Sequence, residues 1–551
     1  MTPLRVRWLG RVRYRDAHAL QHALHAGTAD HLLLLEHPHV ITLGVRAQPE
    51  NLLITAEEAA QLGGEIVDTD RGGDITYHGP GQLVGYPVMN VADRPGAMAD
   101  TRAWVRSVEQ LLIDSLTDLG LPNVGRDPEY PGVWVDPHGP APRKIAAIGV
   151  RLTRGRSMHG FALNVDPDMS WFSRIVPCGI ADRPVTSLRA EGVPASMSDV
   201  VTAVARRAAS HWTRAPLSPP TGRIFGTPRP ISAASSPEGL EFAAVDAVAP
   251  PGTAANRSVA VELKPSWLRP KAVMGEDYRS LRKRMRSLDL VTVCEEAGCP
   301  NIYECWAEGT ATFMLNGERC TRACGFCLVD TSKPMPVDPR EPERVATAVA
   351  EMQLAHAVIT AVARDDLADG GASGFAATVE AVRRRSPGTA VELLIPDCKG
   401  DPEALDVVFA SRPDVLNHNL ETVLRLQRAV RPQASYARSL AVLGRAKAAG
   451  LVTKSGLIVG MGETDEEVIG ALADLRAVGV DIVTIGQYLR PSASHLPVAR
   501  WWTPAEIDAV ADAGRAMGFA HVEASPLTRS SYHARSSLEA AAAAPAAQFA
   551  N

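Results

Sequence analysis

Two short runs decide how the second half of this chain is read: Cys294-Glu-Glu-Ala-Gly-Cys299-Pro-Asn-Ile-Tyr-Glu-Cys305 and, soon after, Cys320-Thr-Arg-Ala-Cys324-Gly-Phe-Cys327. Together they hold six of the chain's 8 cysteines. The first is C-x4-C-x5-C and the second C-x3-C-x2-C, so each offers three thiolates. Thiolates are the ligands of iron–sulfur clusters, and a cluster held by three of them keeps one iron open for chemistry. Structural zinc fits poorly, because it favours C-x2-C pairs closed four-coordinate and six thiolates do not divide into fours. Disulfides also fit poorly: dense pairing belongs to small secreted domains, and no secretory signal is visible. Redox or radical chemistry is therefore expected of the C-terminal half.

Around the cysteines the sequence alternates apolar strands with amphipathic helices. Strands are expected at Ala357–Val362, Ala390–Pro396, Val415–Glu421, Ser455–Gly460, Asp481–Tyr488 and His521–Ala524. Helical stretches such as Val345–Ala355 and Glu466–Val478 lie between them. Repeated strand–helix units predict a parallel sheet curled into a full or partial barrel, with its chemistry at the C-terminal ends of the strands. Cys398, in IPDCKG, lies outside both triads and reads as a small packing residue. Upstream, residues 216–262 turn rich in Pro, Ala and Ser and read as a linker of mixed stiffness. Residues 536–551 read as a low-complexity tail. These limits give domains at 1–215 and 263–535.

The N-terminal half is almost free of lysine: up to Val261 it contains one lysine, Lys144, and one cysteine, Cys178. Arginine cannot replace a lysine that must give up its proton near neutral pH. A thiol with a nearby amine is a plausible nucleophile–base pair, although a buried structural thiol is the commoner fate of a lone cysteine. Arg71-Gly-Gly-Asp-Ile-Thr-Tyr-His78-Gly-Pro-Gly-Gln82 reads as a glycine-rich loop whose backbone could approach a ligand closely. His31–Leu43 contains a buried strand, Thr101–Leu119 has helical spacing with Trp104, Val108, Leu111, Leu112 and Leu116 on one side, and Leu4–Leu9 alternates like a strand. Ile145–Leu152 and Gly160–Val165 look like short strands flanking Ser157–His159. The expectation is an α/β or α+β domain.

The chain of 551 residues carries a formal net charge of −5. There is no bulk basic field to suggest nucleic acid, and no apolar run approaches the ~20 residues that span a bilayer. The arginines at the N-terminus, Arg5 to Arg15, lack the serines of a transit peptide, so a bacterial-type cytosol is expected, where thiolates stay reduced.

The second cysteine run resembles the radical S-adenosylmethionine signature, and with the first run upstream the segment Lys264–Ala534 resembles lipoyl synthase. KPSWLR (Lys264–Arg269), RDDLADGGA (Arg364–Ala372), NHNLET (Asn417–Thr422), TKSGLIVGMGET (Thr453–Thr464), TIGQYLRP (Thr484–Pro491) and RSSYHA (Arg529–Ala534) agree. The resemblance implies two 4Fe–4S clusters and S-adenosyl-L-methionine. Cys320, Cys324 and Cys327 would hold the cluster that cleaves it to a 5′-deoxyadenosyl radical. Cys294, Cys299 and Cys305 would hold an auxiliary cluster that supplies sulfur, with Ser530 as fourth ligand and Ser531 as the alternative. The implied reaction inserts two sulfur atoms, at carbons 6 and 8 of a protein-bound octanoyl chain. Two departures stand out: EASPLTRSSYHA where the family usually shows SGPLVRSSYHA, and CTRACGFC where CTRRCPFC is common.

Residues from about Leu4 to Leu188 resemble octanoyltransferase, which implies the biotin/lipoate protein ligase-like fold. Cys178 would take an octanoyl group as a thioester and Lys144 would act as general acid/base. Arg71, Gly72, Gly73, Asp74, Ile75, Thr76, Tyr77, His78, Ala147, Ile148, Gly149, His159, Gly160 and Phe161 would bind substrate. HPHVIT, where HPPVYT is usual, is a departure in that half. Implied partners are octanoyl-acyl carrier protein, the lipoyl domains of 2-oxoacid dehydrogenases and the glycine cleavage H protein, and reduced flavodoxin or ferredoxin as electron donor. Two alternatives stay open for the first half: an ATP-dependent lipoate or biotin ligase, and a non-catalytic docking module for lipoyl domains.

Overall fold

Alternation and turn chemistry build ten strands in the first half of the chain. In the computed structural model, which describes residues 4–91, 100–180, 182–212, 264–268, 301–307 and 309–543, these are β1 (Arg5–Arg11), β2 (His31–Glu36), β3 (Val40–Leu43), β4 (Glu65–Asp68), β5 (Ile75–His78), β6 (Gln82–Val88), β7 (Val124–Gly125), β8 (Val133–Val135), β9 (Arg143–Thr153) and β10 (Arg156–Asn164). One mixed sheet runs β1-β2-β6-β10-β9-β8-β7 and a small one runs β4-β3-β5. The helix Thr101–Asp118, capped by the Asp100 side chain, buries the expected face of Trp104, Val108, Leu111, Leu112 and Leu116. It shares a core with the helix Met197–Trp212, and the Trp104 and Trp212 rings lie 5.2 Å apart.

Several expectations are corrected here. The segment His31–Leu43 is two strands in different sheets, parted at Pro38, which cannot donate to a ladder. The stretch Ser157–His159 is not a connection between strands but part of β10. The hairpin turns instead at Arg154 and Gly155, with φ of 53° and 75°. Two consecutive positive φ values match the tight turn that joins twisted antiparallel strands, and Arg-Gly is not its usual sequence sign. Part of the expected glycine-rich loop Arg71–Gln82, its residues Ile75–His78, is strand β5.

The second half is built on a parallel sheet. Strands β11 (Thr310–Leu315), β12 (His356–Ala361), β13 (Ala390–Leu394), β14 (Val415–Asn417), β15 (Thr453–Val459), β16 (Ile482–Gln487) and β17 (His521–Ala524) lie side by side in chain order. All six pairings are parallel. Among the described residues β11 and β17 each pair on one side only, so the sheet is an open, partial barrel. Helices connect the strands, among them Glu341–Glu351, Ala372–Arg385, Tyr436–Ala448 and Asp465–Ala477. Six strands fall where alternation puts them. The seventh, β11, was not expected: its TATFML lies between the two cysteine runs, whose spacing dominates that stretch.

By spatial grouping the described residues form two compact units, and Arg15–Gly27 groups with the second, although chain order puts it in domain 1–215. The expected tail is also corrected at its start: Ala534–Ala543 is a helix with Ala534 and Ser537 buried, as an alanine-rich run favours. Residues 544–551 and the expected linker 216–262 lie outside the described residues. No helix among the described residues is long and apolar enough to cross a membrane.

Candidate functional site

Cys178 sits in the short turn Pro177–Gly179 with φ 56°, in the left-handed region that only glycine adopts without cost. It borders a cleft, partly open to solvent, with about 390 Å³ of empty space that includes its open mouth. Arg71, Thr76, His78, Ala147, Ile148, Gly149, His159, Gly160 and Phe161, all among the residues that the resemblance assigns to substrate, line it. Tyr14, Tyr86 and Ala162 line it too and were missed.

Five of the residues expected to bind substrate, Gly72, Gly73, Asp74, Ile75 and Tyr77, do not line the cleft. Once Ile75–His78 is a strand, its side chains alternate: Thr76 and His78 face the cleft while Ile75 and Tyr77 enter a separate core. Tyr77 Oη bonds His39 Nδ1 at 2.8 Å, and its ring stacks on Trp171. Asp74 accepts from the Gln48 backbone N–H at 2.9 Å and also from the Asn51 side chain. A Cβ on Gly179 would meet Asp74 Oδ2 at 3.0 Å, so this carboxylate braces the turn that carries Cys178. Gly72 lets the chain pass close to β9, since a Cβ there would lie 2.8 Å from the Val150 carbonyl oxygen, and Gly73 has φ 99°.

Lys144 does not line the cleft but lies beside it. Its side chain is buried, with Nζ 4.8 Å from the centre of the Trp134 indole. Burial pushes its ammonium below the usual lysine value, while nearby Cys178, Asp127 and Glu109 pull the other way. Arg71 is also buried and donates to the Thr42 carbonyl at 2.8 Å, to Thr42 Oγ1 at 3.0 Å and to the Asp74 carbonyl at 2.7 Å. His159 holds φ 56° inside β10 and bonds Asp70 Oδ1 at 2.8 Å.

In the second half, Cys320, Cys324 and Cys327 occupy the loop after β11, on the side where the parallel strands end. The loop is tied down along its length. The Thr321 backbone N–H donates to the Ala363 carbonyl at 2.9 Å, Gly325 N–H to the Val430 carbonyl at 2.8 Å, and the Leu496 N–H to the Gly325 carbonyl at 3.0 Å. Arg322, buried, pairs with both oxygens of Asp365 at 2.7 and 2.8 Å and with the fully buried Asp397 at 2.6 Å. The departure at Gly325 has a packing reason: a Cβ there would meet Leu496 Cδ1 at 2.7 Å. Burial pushes the Cys324 thiol up and the Cys327 thiol to about 11, and the neighbouring thiols add to both. Three cysteines on one braced loop, two of them with thiols that burial holds protonated unless a cation is near, are a donor set that fits an iron–sulfur cluster.

Cys305 is buried on the short helix Ile302–Ala307. Asn301 Nδ2 donates to the Leu527 carbonyl at 2.8 Å, and Tyr532 Oη donates to Glu304 Oε2 at 3.0 Å. The turn bearing Ser530 and Ser531 is thereby held against the Cys305 helix. Cys294 and Cys299 lie outside the described residues. Cys398 is the packing residue the sequence suggests: it is 3% exposed within the main core, and burial pushes its thiol to about 12.

Comparison with known proteins bears on both halves. The family model described as "Lipoyl protein ligase A/B catalytic domain" matches residues 13–209. Those described as "N-terminal domain of lipoyl synthase of Radical SAM family" and "Radical SAM superfamily" match 254–299 and 316–475. The lipoyl synthase of Rubrobacter xylanophilus is 57% identical over 278 residues, covering 50% of this chain and 87% of that protein. This chain belongs to the lipoyl synthase family. The lipoyl synthase of Beutenbergia cavernae is 53% identical over 299 residues, 54% of this chain and 88% of that protein. That of Mycobacterium avium is 54% identical over 279 residues, 51% of this chain and 91% of that protein. With a ligase A/B-type catalytic domain ahead of its radical SAM domain, this lipoyl synthase is a bifunctional lipoylation enzyme. Membership of the family carries S-adenosylmethionine and 4Fe–4S chemistry with it.

Proposed function

We propose that the first half moves an octanoyl group from acyl carrier protein to a lysine of a lipoyl domain through a thioester on Cys178. The second half then inserts sulfur at carbons 6 and 8 of that same octanoyl group. The observation that carries the first step is the pairing of Cys178, on a strained turn at the cleft, with a buried Lys144 close enough to feel its charge. A neutral Lys144 amine draws the thiol proton as sulfur attacks the donor thioester, then returns it to the departing carrier thiol. Desolvation makes that neutral form accessible, and arginine could not provide it. The nucleophile favours acyl transfer over ATP-dependent ligation, which needs no cysteine.

For the second step, Cys320, Cys324 and Cys327 would hold one 4Fe–4S cluster. Cys294, Cys299, Cys305 and Ser530, with Ser531 as alternative, would hold another. When bound with S-adenosylmethionine, such a cluster supplies an oxidant strong enough to break an unactivated C–H bond, which no side chain can do. What the chain contributes is position: Arg322 braces the first cysteine loop, and Tyr532 and Asn301 hold the serine turn to the Cys305 helix. Lipoyl domains of 2-oxoacid dehydrogenases or the glycine cleavage H protein would be acceptors, a reduced flavodoxin or ferredoxin the electron donor, and the cytosol the compartment.

The test is the intact mass of a lipoyl domain incubated anaerobically with the reconstituted chain, octanoyl-acyl carrier protein, S-adenosylmethionine and a reductant. Gain of one octanoyl group followed by two sulfurs is expected. Arrest after octanoylation would remove the second assignment, and no gain at all would remove the first.

A further inference from the structure

Two hydrogen-bond relays cross the first unit and end at the cleft, and the direction of every hydrogen in them is fixed. In one, Asn164 Nδ2 donates to the Thr186 carbonyl at 2.9 Å, which turns Asn164 Oδ1 toward Gln82. Gln82 Nε2 donates to that oxygen at 2.9 Å and to the Tyr77 carbonyl at 3.2 Å. Both receiving carbonyls belong to the backbone and can only accept, so neither amide can be turned round. Gln82 Oε1 therefore accepts, and His78 Nδ1, 2.8 Å away, must carry the hydrogen. Burial, then His37, hold the His78 imidazole well below its usual pKa, so Nε2 is a bare lone pair.

The second relay has the same logic. His37 Nδ1 lies 2.7 Å from the Val12 carbonyl and must donate to it. The fully buried His37 is pushed down to about 4 by burial and is neutral, so its Nε2 accepts. Its partner is Tyr86 Oη at 2.8 Å, whose hydrogen is thereby committed inward. Tyr86 stays protonated, since burial pushes its pKa up. Its remaining lone pairs are what it can offer to the cleft it lines.

Two of the residues that line the cleft thus keep one oriented acceptor each, His78 at Nε2 and Tyr86 at Oη. The groups around His78 are Tyr14, His37, Arg71 and His159, and no carboxylate is among the residues that line the cleft. A buried guanidinium with no lining acid disfavours a second cation. A neutral primary amine fits: it has two N–H groups to donate and one lone pair left for attack.

We propose that His78 Nε2 and Tyr86 Oη together receive the neutral amine of the acceptor lysine, taking its two N–H groups and leaving its lone pair aimed at the Cys178 thioester. Gln82 and Asn164 are positioning residues that set the His78 tautomer. In the transfer step the N–C bond forms and the C–S bond breaks, and sulfur leaves with the electron pair. As the C–S bond breaks, one N–H lets go of its acceptor and gives its proton to neutral Lys144, which hands it to the departing sulfur, so His78 and Tyr86 end the step unchanged.

The inference rests on the octanoyl-transfer reading above, and a two-stage experiment separates the two. The full chain is first acylated from octanoyl-acyl carrier protein and the Cys178 adduct is followed by mass. A lipoyl domain is then added and single-turnover transfer is timed. His78→Phe, Tyr86→Phe and Gln82→Leu should each slow transfer about tenfold, the worth of one oriented hydrogen bond, while slowing acylation far less. Gln82→Leu retains the imidazole and frees its tautomer, while also taking the donor from Asn164 Oδ1 and the Tyr77 carbonyl; a loss confined to transfer, with unchanged half-saturation for the lipoyl domain and unchanged thermal unfolding, is therefore not a folding effect. Equal losses in both stages, a loss confined to acylation, or no loss would each overturn the proposal. Failure of the unaltered chain to acquire an adduct on Cys178 would instead overturn the reading beneath it, and the proposal with it.

Discussion

Under the proposed acyl transfer, the environment of one side chain, Lys144, sets a rate. Replacing it with arginine preserves the charge but not the ability to lose it, so Lys144→Arg should lower Cys178 acylation by about 10²–10⁴-fold, read by intact mass over time. Acylation by the unaltered chain should rise with pH and level off once Lys144 is neutral. Because burial lowers that pKa, the midpoint should lie below the ordinary value of 10.5. Trp134→Ala, which lets water reach the amine, should move it upward. At this scale the sequence offered candidates wherever chemistry singles out a residue type, as with the one lysine and one cysteine up to Val261. It was not legible where a strand's two faces divide neighbours. Ile75 and Tyr77 read as site residues like Thr76 and His78, and only the strand register separates them. Tyr86 gave no signal, because its role depends on His37, 49 positions away in the chain.

Among elements, the partial barrel makes two demands on its interior. Glu392 on β13 and Lys454 on β15 are fully buried and pair at 3.1 Å, with Asn417 Nδ2 donating to Glu392 at 2.8 Å and His356 Nε2 3.6 Å from it. Burial alone would raise the carboxyl, but Lys454 first and His356 next outweigh it and bring it down to about 2. A depressed folded pKa stabilises above the unfolded value of 4.5, and that stabilisation is lost as pH falls from 4.5 through 2. Lys454→Met should cost about 3–5 kcal/mol in chemical unfolding by stranding a buried carboxylate, and adding Glu392→Gln should recover most of it. Arg322 is the second case. Arg322→Met unties the Cys320–Cys327 loop from Asp365 and Asp397, and should weaken iron retention about 10–100-fold, measured by iron content and by the paramagnetic signal of the reduced protein. The parallel sheet was legible because strand and helix periods differ. Strand β11 was not, since TATFML lies between two cysteine runs, where ligand spacing and not strand–helix alternation dominates the reading.

For the whole molecule, two consecutive reactions on one chain predict a coupled advantage. The composition of residues 216–262 is that of a tether, and ~45 residues of coil would span roughly 35–40 Å. Cutting it should lower the overall rate of lipoyl formation at dilute enzyme while leaving octanoyl transfer and sulfur insertion, assayed separately, unchanged. An unchanged overall rate would exclude coupling through the tether. The sequence by itself determined the two-part lipoylation enzyme and named the candidates for its chemistry, six cysteines in two runs and the Cys178–Lys144 pair, because cluster ligation and nucleophilic catalysis select residue types that a sequence displays directly. Tertiary structure alone decided what surrounds them: the dry pocket that lowers Lys144, the carboxylates that brace Arg322, the contact of the Cys305 helix with the Ser530 turn, and the relays that orient His78 and Tyr86. Desolvation and hydrogen-bond direction depend on groups far apart in the chain, and no local pattern of residues encodes them.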